Sequence, residues 1–521
     1  MSDFRAAPGR SPEWHETGGA FSNFEFVDLG YGSHSILRRV FSLARKLKYH
    51  GLLVEQIDEA DCALLAQENA ALAVRLPDFD RSRVTRFSFF AGEKRSAPGE
   101  FLGYAIFKQD HHRVTGQFSH VYEAVLRSPR GQKANNFVHC GRDYTVKTAL
   151  GCFTVRGVLF GQQNDATYVC AHVALRAMIA SFAPGADISY AEINKRADVG
   201  HASPGKRVGG RGLSAGAESR GLFPDQIEAV LRGAGLEPEL IVHEPTKPEL
   251  HAELPVDVEF QRLLYGYLES GSPVLLGFEL APEKPGADPS RHILPIFGHT
   301  FNEDLWVPEA ERKYFAHNPK YFPSESWLST YLAHDDNFGP YVCLPRHYLR
   351  REQFRLLVGC RPAGVVLPPE EAETRAFDFV ARMVDAPLED APPWLQRLSA
   401  FARAGLLVLR SLAVERSAYR KHLAELRDKD GYELEPALAD RLIERLPPHV
   451  WLVEVSAPEL YPASRRKFGE VVLHAASAAG ADPVLVFRMP GRVLFRDAAG
   501  KLVEETTRLA GHTAILSLSM D

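Results

Sequence analysis

In the stretch GQQNDATYVCAHVALRAMIASF, residues 161–182, a polar loop with paired glutamines delivers Cys170 to the start of an apolar helix. Val173, Ala174, Ala177, Met178 and Ile179 recur at three- and four-residue spacing, the stripe of a helix packed on a core. Cys170 therefore falls in the first turn, where unpaired backbone N–H groups and the positive end of the helix dipole stabilise a thiolate. That is the chemistry of a nucleophile. A free cysteine is more often a small buried apolar residue, so the reading depends on partners elsewhere in the chain.

Two such partners stand out. His292 opens RHILPIFGHTF, in which Ile293, Leu294, Ile296 and Phe297 predict a buried strand with the imidazole at its end, a base held on a rigid element. STYLAH predicts a second strand running into Asp335, Asp336, Asn337, Phe338, Gly339 and Pro340. A carboxylate there can orient the imidazole and stabilise its charged form. Two other histidines are read as structural. His172 lies off the Cys170 face of its helix, because neighbours on one face are three or four apart. His299, seven positions after His292, falls on the opposite strand face.

Metal and nucleotide chemistry are set aside on similar grounds. His111, His112, His120 and His139 fall in a strand-rich region, but adjacent histidines point to opposite sides of a strand and no carboxylate follows at ligand spacing. GHASPGK, residues 200–206, has phosphate-loop spacing, yet Arg207 takes the Ser/Thr position and no buried strand precedes it. The Gly-rich run around it is read as a loop bordering a cleft. No cofactor and no metal are expected.

The elements that must position these residues belong to an α+β chain of about three domains, on a prior of roughly 150 residues each. Residues 1–25 carry Pro8, Pro12, Gly18 and Gly19 without periodicity and read as a flexible leader. Residues 26–150 read as an N-terminal α+β domain: a helix over Ser35–Lys48, then strands in VTRFSFFAG, EFLGYAIFK and SHVYEAVLR. Residues 151–360 hold the nucleophile, the histidine and the aspartates. Beyond a Pro-rich junction, residues 361–521 read as helices over about 370–446, the most apolar being PPWLQRLSAFARAGLLVLRSLA, then short strands over about 450–519. No internal repeat is evident.

Composition narrows the class further. Hydrophobic residues make up 45% and charged residues 24%, no apolar run approaches a membrane span, and the N-terminus is charged and broken by prolines, which together predict a cytoplasmic protein without a membrane partner. The formal charge of −5, with scattered basic residues, argues against nucleic acid. The six cysteines are widely spaced with no CxxC pair, so neither a disulfide framework nor a structural zinc site is indicated.

The order of paired glutamines, helix-initial Cys170, strand-initial His292 and strand-terminal Asp resembles the papain-like cysteine peptidases, in particular the bacterial branch that contains the double-glycine leader peptidases. His292 and Gly298 match the family's H-x5-G pattern, and GLFPDQIEAVLRGAGL and ESGSPVLLGF are similar to its segments between Cys and His. The resemblance covers about residues 152–350. It implies a papain-like core flanked by the N-terminal α+β domain and a C-terminal helical plus β-strand domain. It also implies a Cys170–His292–Asp335 triad, with Asp336 as the alternative acid, and an oxyanion hole built from the Cys170 N–H and a side-chain amide. The family places that glutamine six residues before the cysteine; here Asn164 holds that position, with Gln163 seven and Gln162 eight residues before Cys170. Gln163 is preferred, with Asn164 and Gln162 as alternatives. The long gap from His292 to Asp335 makes Asn318, in KYFAHNPK, a rival orienting residue. The implied activity is hydrolysis of a peptide or isopeptide bond in a peptide or protein substrate through an acyl-enzyme. A transglutaminase-like acyl transfer with the same triad, or a degenerate binding or scaffold protein, are the alternatives.

Overall fold

The computed structural model describes residues 11–19, 21–58, 62–76, 78–128, 136–164, 166–182, 188–199, 222–242, 258–280, 290–300, 320–346, 349, 354–362, 364–384, 393–476, 482–497 and 499–518. The chain is a mixed α+β protein. Its first elements are β1 (Glu13–Glu16), α1 (Asn23–Tyr31), α2 (Ser35–Lys46), β2 (Gly51–Ile57), α3 (Ala63–Arg75), β3 (Phe79–Phe90), β4 (Phe101–His112) and β5 (Gly116–Leu126). The five strands form one antiparallel sheet in chain order. On α2, Ile36, Leu37, Val40, Phe41 and Ala44 form an apolar stripe buried against this sheet, with the His34 ring accepting the Leu37 N–H at the helix start. The leader departs from expectation: Glu13–Glu16 is an edge strand on β2, and Trp14 packs its ring on Phe90 and donates to the Glu93 carbonyl at 2.8 Å. A short edge strand flanked by Pro and Gly has no sequence signal of its own, because its partner supplies the order.

The middle of the chain runs β6 (Asn136–Phe137), β7 (Arg142–Thr148), β8 (Gly151–Gly157), α4 (Cys170–Phe182), α5 (Tyr190–Arg196), α6 (Pro224–Gly233), β9 (Glu237–Val242), α7 (Val258–Glu269), β10 (Val274–Leu280), β11 (Ser290–Thr300), β12 (Phe322–Pro323), β13 (Thr330–Asp335), β14 (Gly339–Pro345) and β15 (Phe354–Arg361). The second sheet has the order β14-β13-β11-β10-β15-β9, with β6 added alongside β11. Helix α4 lies between the two sheets. One apolar cluster joins Leu53, Phe90, Tyr104 and Tyr122 of the first sheet to Met178 and Ile179 of α4 and to Ile293 and Val358 of the second. Another joins Phe41 and Phe87 to Phe297, Leu332 and Tyr341. The β1–β5 sheet with its helices and the segment bearing Cys170 and His292 thus share a core. The segment 200–206 lies outside the described residues.

The rest comprises α8 (Pro369–Val384), α9 (Pro393–Arg403), β16 (Val408–Glu415), α10 (Arg416–Glu425), α11 (Pro436–Glu444), β17 (His449–Ser456), α12 (Tyr461–Ser464), β18 (Arg466–Lys467), β19 (Gly469–His474), β20 (Val484–Met489), β21 (Arg492–Arg496), β22 (Leu502–Thr506) and β23 (Thr513–Ala514). Its sheet runs β12-β16-β17-β19-β20-β21-β22, covered by α8 and α9 on one face and by α10 and α11 on the other. The apolar run after Pro393 does not stay helical. Gly405, at φ +67°, ends α9, and VLRSLAVE pairs with β17 along its whole length. Among the described residues no helix is long and apolar enough to cross a membrane.

Candidate active site

The loop before Cys170 is set by three amides with different partners. Gln162 is tied to β5: its N–H donates to the Val121 carbonyl at 2.8 Å, and its Oε1 accepts the Val121 N–H at 3.0 Å. Asn164 organises the turn itself. Its Oδ1 accepts the N–H groups of Ala166, Thr167 and Tyr168 at 3.1, 3.0 and 3.2 Å, and its Nδ2 donates to Glu68 Oε1 and Thr167 Oγ1 at 2.7 and 2.8 Å. Only Gln163 reaches the cysteine, where its Oε1 accepts the Cys170 N–H at 2.8 Å. Of the candidate amides, then, Gln163 stands beside Cys170 while Gln162 and Asn164 are engaged elsewhere. Asn318 lies outside the described residues.

Cys170 is half-buried and is the first residue of α4. Cys170, Val173, Ala174 and Ala177 share one face of the helix, and with Ile293 and Pro295 of β11 they border a narrow crevice that Asp336 also reaches. The face of α4 that bears Cys170 is therefore the face turned to the strand that bears His292.

His292 pairs with Phe278 across β10 and β11, its side chain 13% exposed. Its Nε2 lies 3.3 Å from Asp335 Oδ1 and 3.6 Å from Asp336 Oδ1, ion-pair distances without the alignment of a hydrogen bond. Burial alone would lower the imidazole pKa. Close contact with Asp335 and with the Cys170 thiol, joined by the charge of Asp336, outweighs burial and pushes the pKa up to about 10. Asp335 responds in the opposite sense: against burial, the imidazole and two turn amides hold its carboxyl below the usual value. Those amides belong to Asn337 and Phe338, which donate to Asp335 Oδ1 at 2.8 and 3.3 Å. They fix the direction of the Asp335 carboxylate.

The turn after β13 is closed by residues the sequence did not single out. Gly339 has φ +101°, and Arg39 of α2 donates from Nε to the Pro340 carbonyl at 2.9 Å and from Nη2 to the Tyr341 carbonyl at 2.7 Å. Tyr341 itself sits at φ +53°, an uncommon conformation for a bulky side chain, and its hydroxyl donates to the Leu126 carbonyl at 2.8 Å. Glu68 was likewise unmarked, although an acid on the apolar stripe of Leu65, Ala71 and Leu72 was a visible signal.

His172, His112 and His120 hold structure. His172 accepts the Val169 N–H at 3.3 Å and meets Asn194 Oδ1 at 2.9 Å. His112 and His120 pair with different carboxylates, Asp78 at 3.6 Å and Asp110 at 3.7 Å. Three groups of ligand-type atoms converge among the described residues: His292 with Asp335 and Asp336, His139 with Glu269 and His299, and His422 with Glu454 and Glu470. In the last, the Lys467 ammonium reaches all three side chains at 2.5 to 2.9 Å and supplies the positive charge. In the second, Arg410 Nη2 neutralises Glu269 at 2.5 Å. The arrangement around Cys170 is thus a helix-initial thiol, an imidazole with a raised pKa and a carboxylate fixed by its own turn. No protein-family model, curated protein or solved structure matches the chain.

Proposed function

We propose that the chain is a cysteine-type hydrolase that cleaves a peptide or isopeptide bond, built on a papain-like core, with Cys170 as nucleophile, His292 as acid and base and Asp335 as the orienting carboxylate. The observation that carries this reading is the His292 ring, held between the thiol of Cys170 and the carboxylates of Asp335 and Asp336. With Nε2 turned to Asp335, Nδ1 is the nitrogen left for the sulfur. A pKa of about 10 keeps the imidazole charged at neutral pH, so that it holds a proton for a leaving group.

The thiolate attacks the carbonyl carbon, the C–S bond forms, and the carbonyl electron pair moves to oxygen. That oxyanion takes the Cys170 N–H that Gln163 Oε1 accepts in this structure, and the Gln163 amide turns to offer its N–H groups instead. As the C–N bond breaks, His292 gives its proton to the leaving nitrogen. Water then adds to the thioester, its proton passing to His292, and the acid departs with the thiolate restored. An amine in place of water would make the same site an acyltransferase. The substrate is taken to be a peptide or protein, and the free, unpaired cysteines among the described residues fit a reducing, cytoplasmic setting.

The engagement of the Cys170 N–H by Gln163 favours one rival, a papain-like binding module without turnover. Intact-mass analysis after mixing with p-nitrophenyl acetate separates the two. The expected result is a transient single acyl group on Cys170, absent in Cys170→Ala. Acylation spread over Cys152 and Cys343, the exposed cysteines, or none at all, contradicts the hydrolase reading.

A further inference from the structure

The loop between Gln163 and Cys170 is held from outside by one buried acid. Asn164 Nδ2 and the Thr167 hydroxyl both donate to the same oxygen of Glu68, Oε1, at 2.7 and 2.5 Å. Glu68 comes from α3, 96 residues earlier in the chain than Asn164, and is 3% exposed. Burial raises its pKa against the pull of Lys108, with Asp110 also facing it. A carboxyl is costly to bury, and the direct bonds of this one go to the turn that carries the amide beside the nucleophile. The other half of the site is built differently: the sulfur is placed by the apolar face of α4, and His292 and Asp335 come from β11 and β13. Loss of the Glu68 contacts would therefore loosen Gln163 without displacing the thiol and imidazole.

We propose that Glu68 is a positioning residue for the oxyanion side of the site, acting through Asn164 and Thr167 to keep the Gln163 amide converged on the Cys170 N–H. This rests on the reading of Cys170 as nucleophile. It predicts a selective defect. Acylation by an ester develops an oxyanion, whereas alkylation by iodoacetamide displaces iodide at a saturated carbon and develops none, so only the first needs Gln163 in place.

The test compares the two rates at Cys170, read by peptide mass spectrometry, in the full chain and in Glu68→Ala, Glu68→Gln and Thr167→Val. Thr167→Val keeps the side-chain shape and carries the comparison if Glu68→Ala does not fold. Acylation by p-nitrophenyl acetate is expected to fall by about a hundredfold in Glu68→Ala, the scale of a misplaced catalytic group, and by about tenfold in Thr167→Val, which removes both hydrogen bonds of the Thr167 hydroxyl, to Glu68 and from Asn164. Iodoacetamide alkylation should change little in either. Glu68→Gln, which keeps an acceptor oxygen in place, should restore acylation. Equal slowing with both probes, or no slowing with either, overturns the proposal while leaving the nucleophile intact. A parent protein whose Cys170 reacts no faster than Cys152 or Cys343 overturns the nucleophile reading and this proposal with it.

Discussion

At the scale of single residues, the two aspartates beside His292 are not equivalent. Asp335 is nearer the ring and accepts two backbone N–H groups, which set its direction. Asp335→Asn is expected to lower kcat by about two to four orders of magnitude, the range for misorienting a catalytic histidine, and Asp336→Asn by less than tenfold. A kinetic comparison on one ester checks the order. His292 also links stability to pH. Its folded pKa of about 10 lies above the ordinary 6.5, so its stabilising contribution is complete below about 6.5 and is lost as pH rises through 10. Asp335 works in reverse: its contribution is present above the ordinary carboxylate range and fades as pH falls through its depressed folded value. Urea midpoints of the parent and His292→Gln should accordingly converge between pH 6.5 and 10.

At the scale of elements, the acid turn between β13 and β14 is clamped by α2. Arg39 reaches two successive carbonyls there, and Gly339 supplies the positive φ that lets the chain reverse beside it. Arg39→Ala should cost about 2 kcal/mol for two charge-assisted bonds on a partly exposed side chain and should lower kcat more than it raises KM, since Asp335 rides on this turn. Denaturation and initial-rate measurements check both halves. The apolar stripe of α4 and the strands that end in His292 and Asp335 were legible because each pattern repeats within a dozen residues. Arg39 and Glu68 were not, because their contacts to the site span some 300 and 96 positions and no local period encodes them. The run after Pro393 misled for another reason: LLVLRSLAV satisfies a helical stripe and a buried strand alike, and the tertiary partner β17 decides between them.

At the scale of the whole molecule, the C-terminal sheet meets the core through buried charges. Arg410, Glu454, Glu470 and Arg488 are cross-strand neighbours on β16, β17, β19 and β20; Lys467 joins the two glutamates, and Arg410 continues to Glu269 at the end of α7. Three cations and three anions cancel in this ladder. Arg410→Met leaves Glu269 and Glu454 short of charge and should cost about 3–5 kcal/mol, read as a lower urea midpoint that added salt hardly changes, because buried pairs are little screened. His299, on the same strand as His292, contacts Glu269, so this ladder ends seven residues from the proposed base. Cys170 and His292 are proposed to work as a pair. The most direct measurement of that is the rate of Cys170 alkylation by iodoacetamide at neutral pH, followed beside Cys152 and Cys343. The pair predicts that Cys170 reacts faster than either exposed cysteine, and that His292→Ala removes the difference. Alkylation of Cys170 no faster than that of Cys152, and unchanged by His292→Ala, would contradict it.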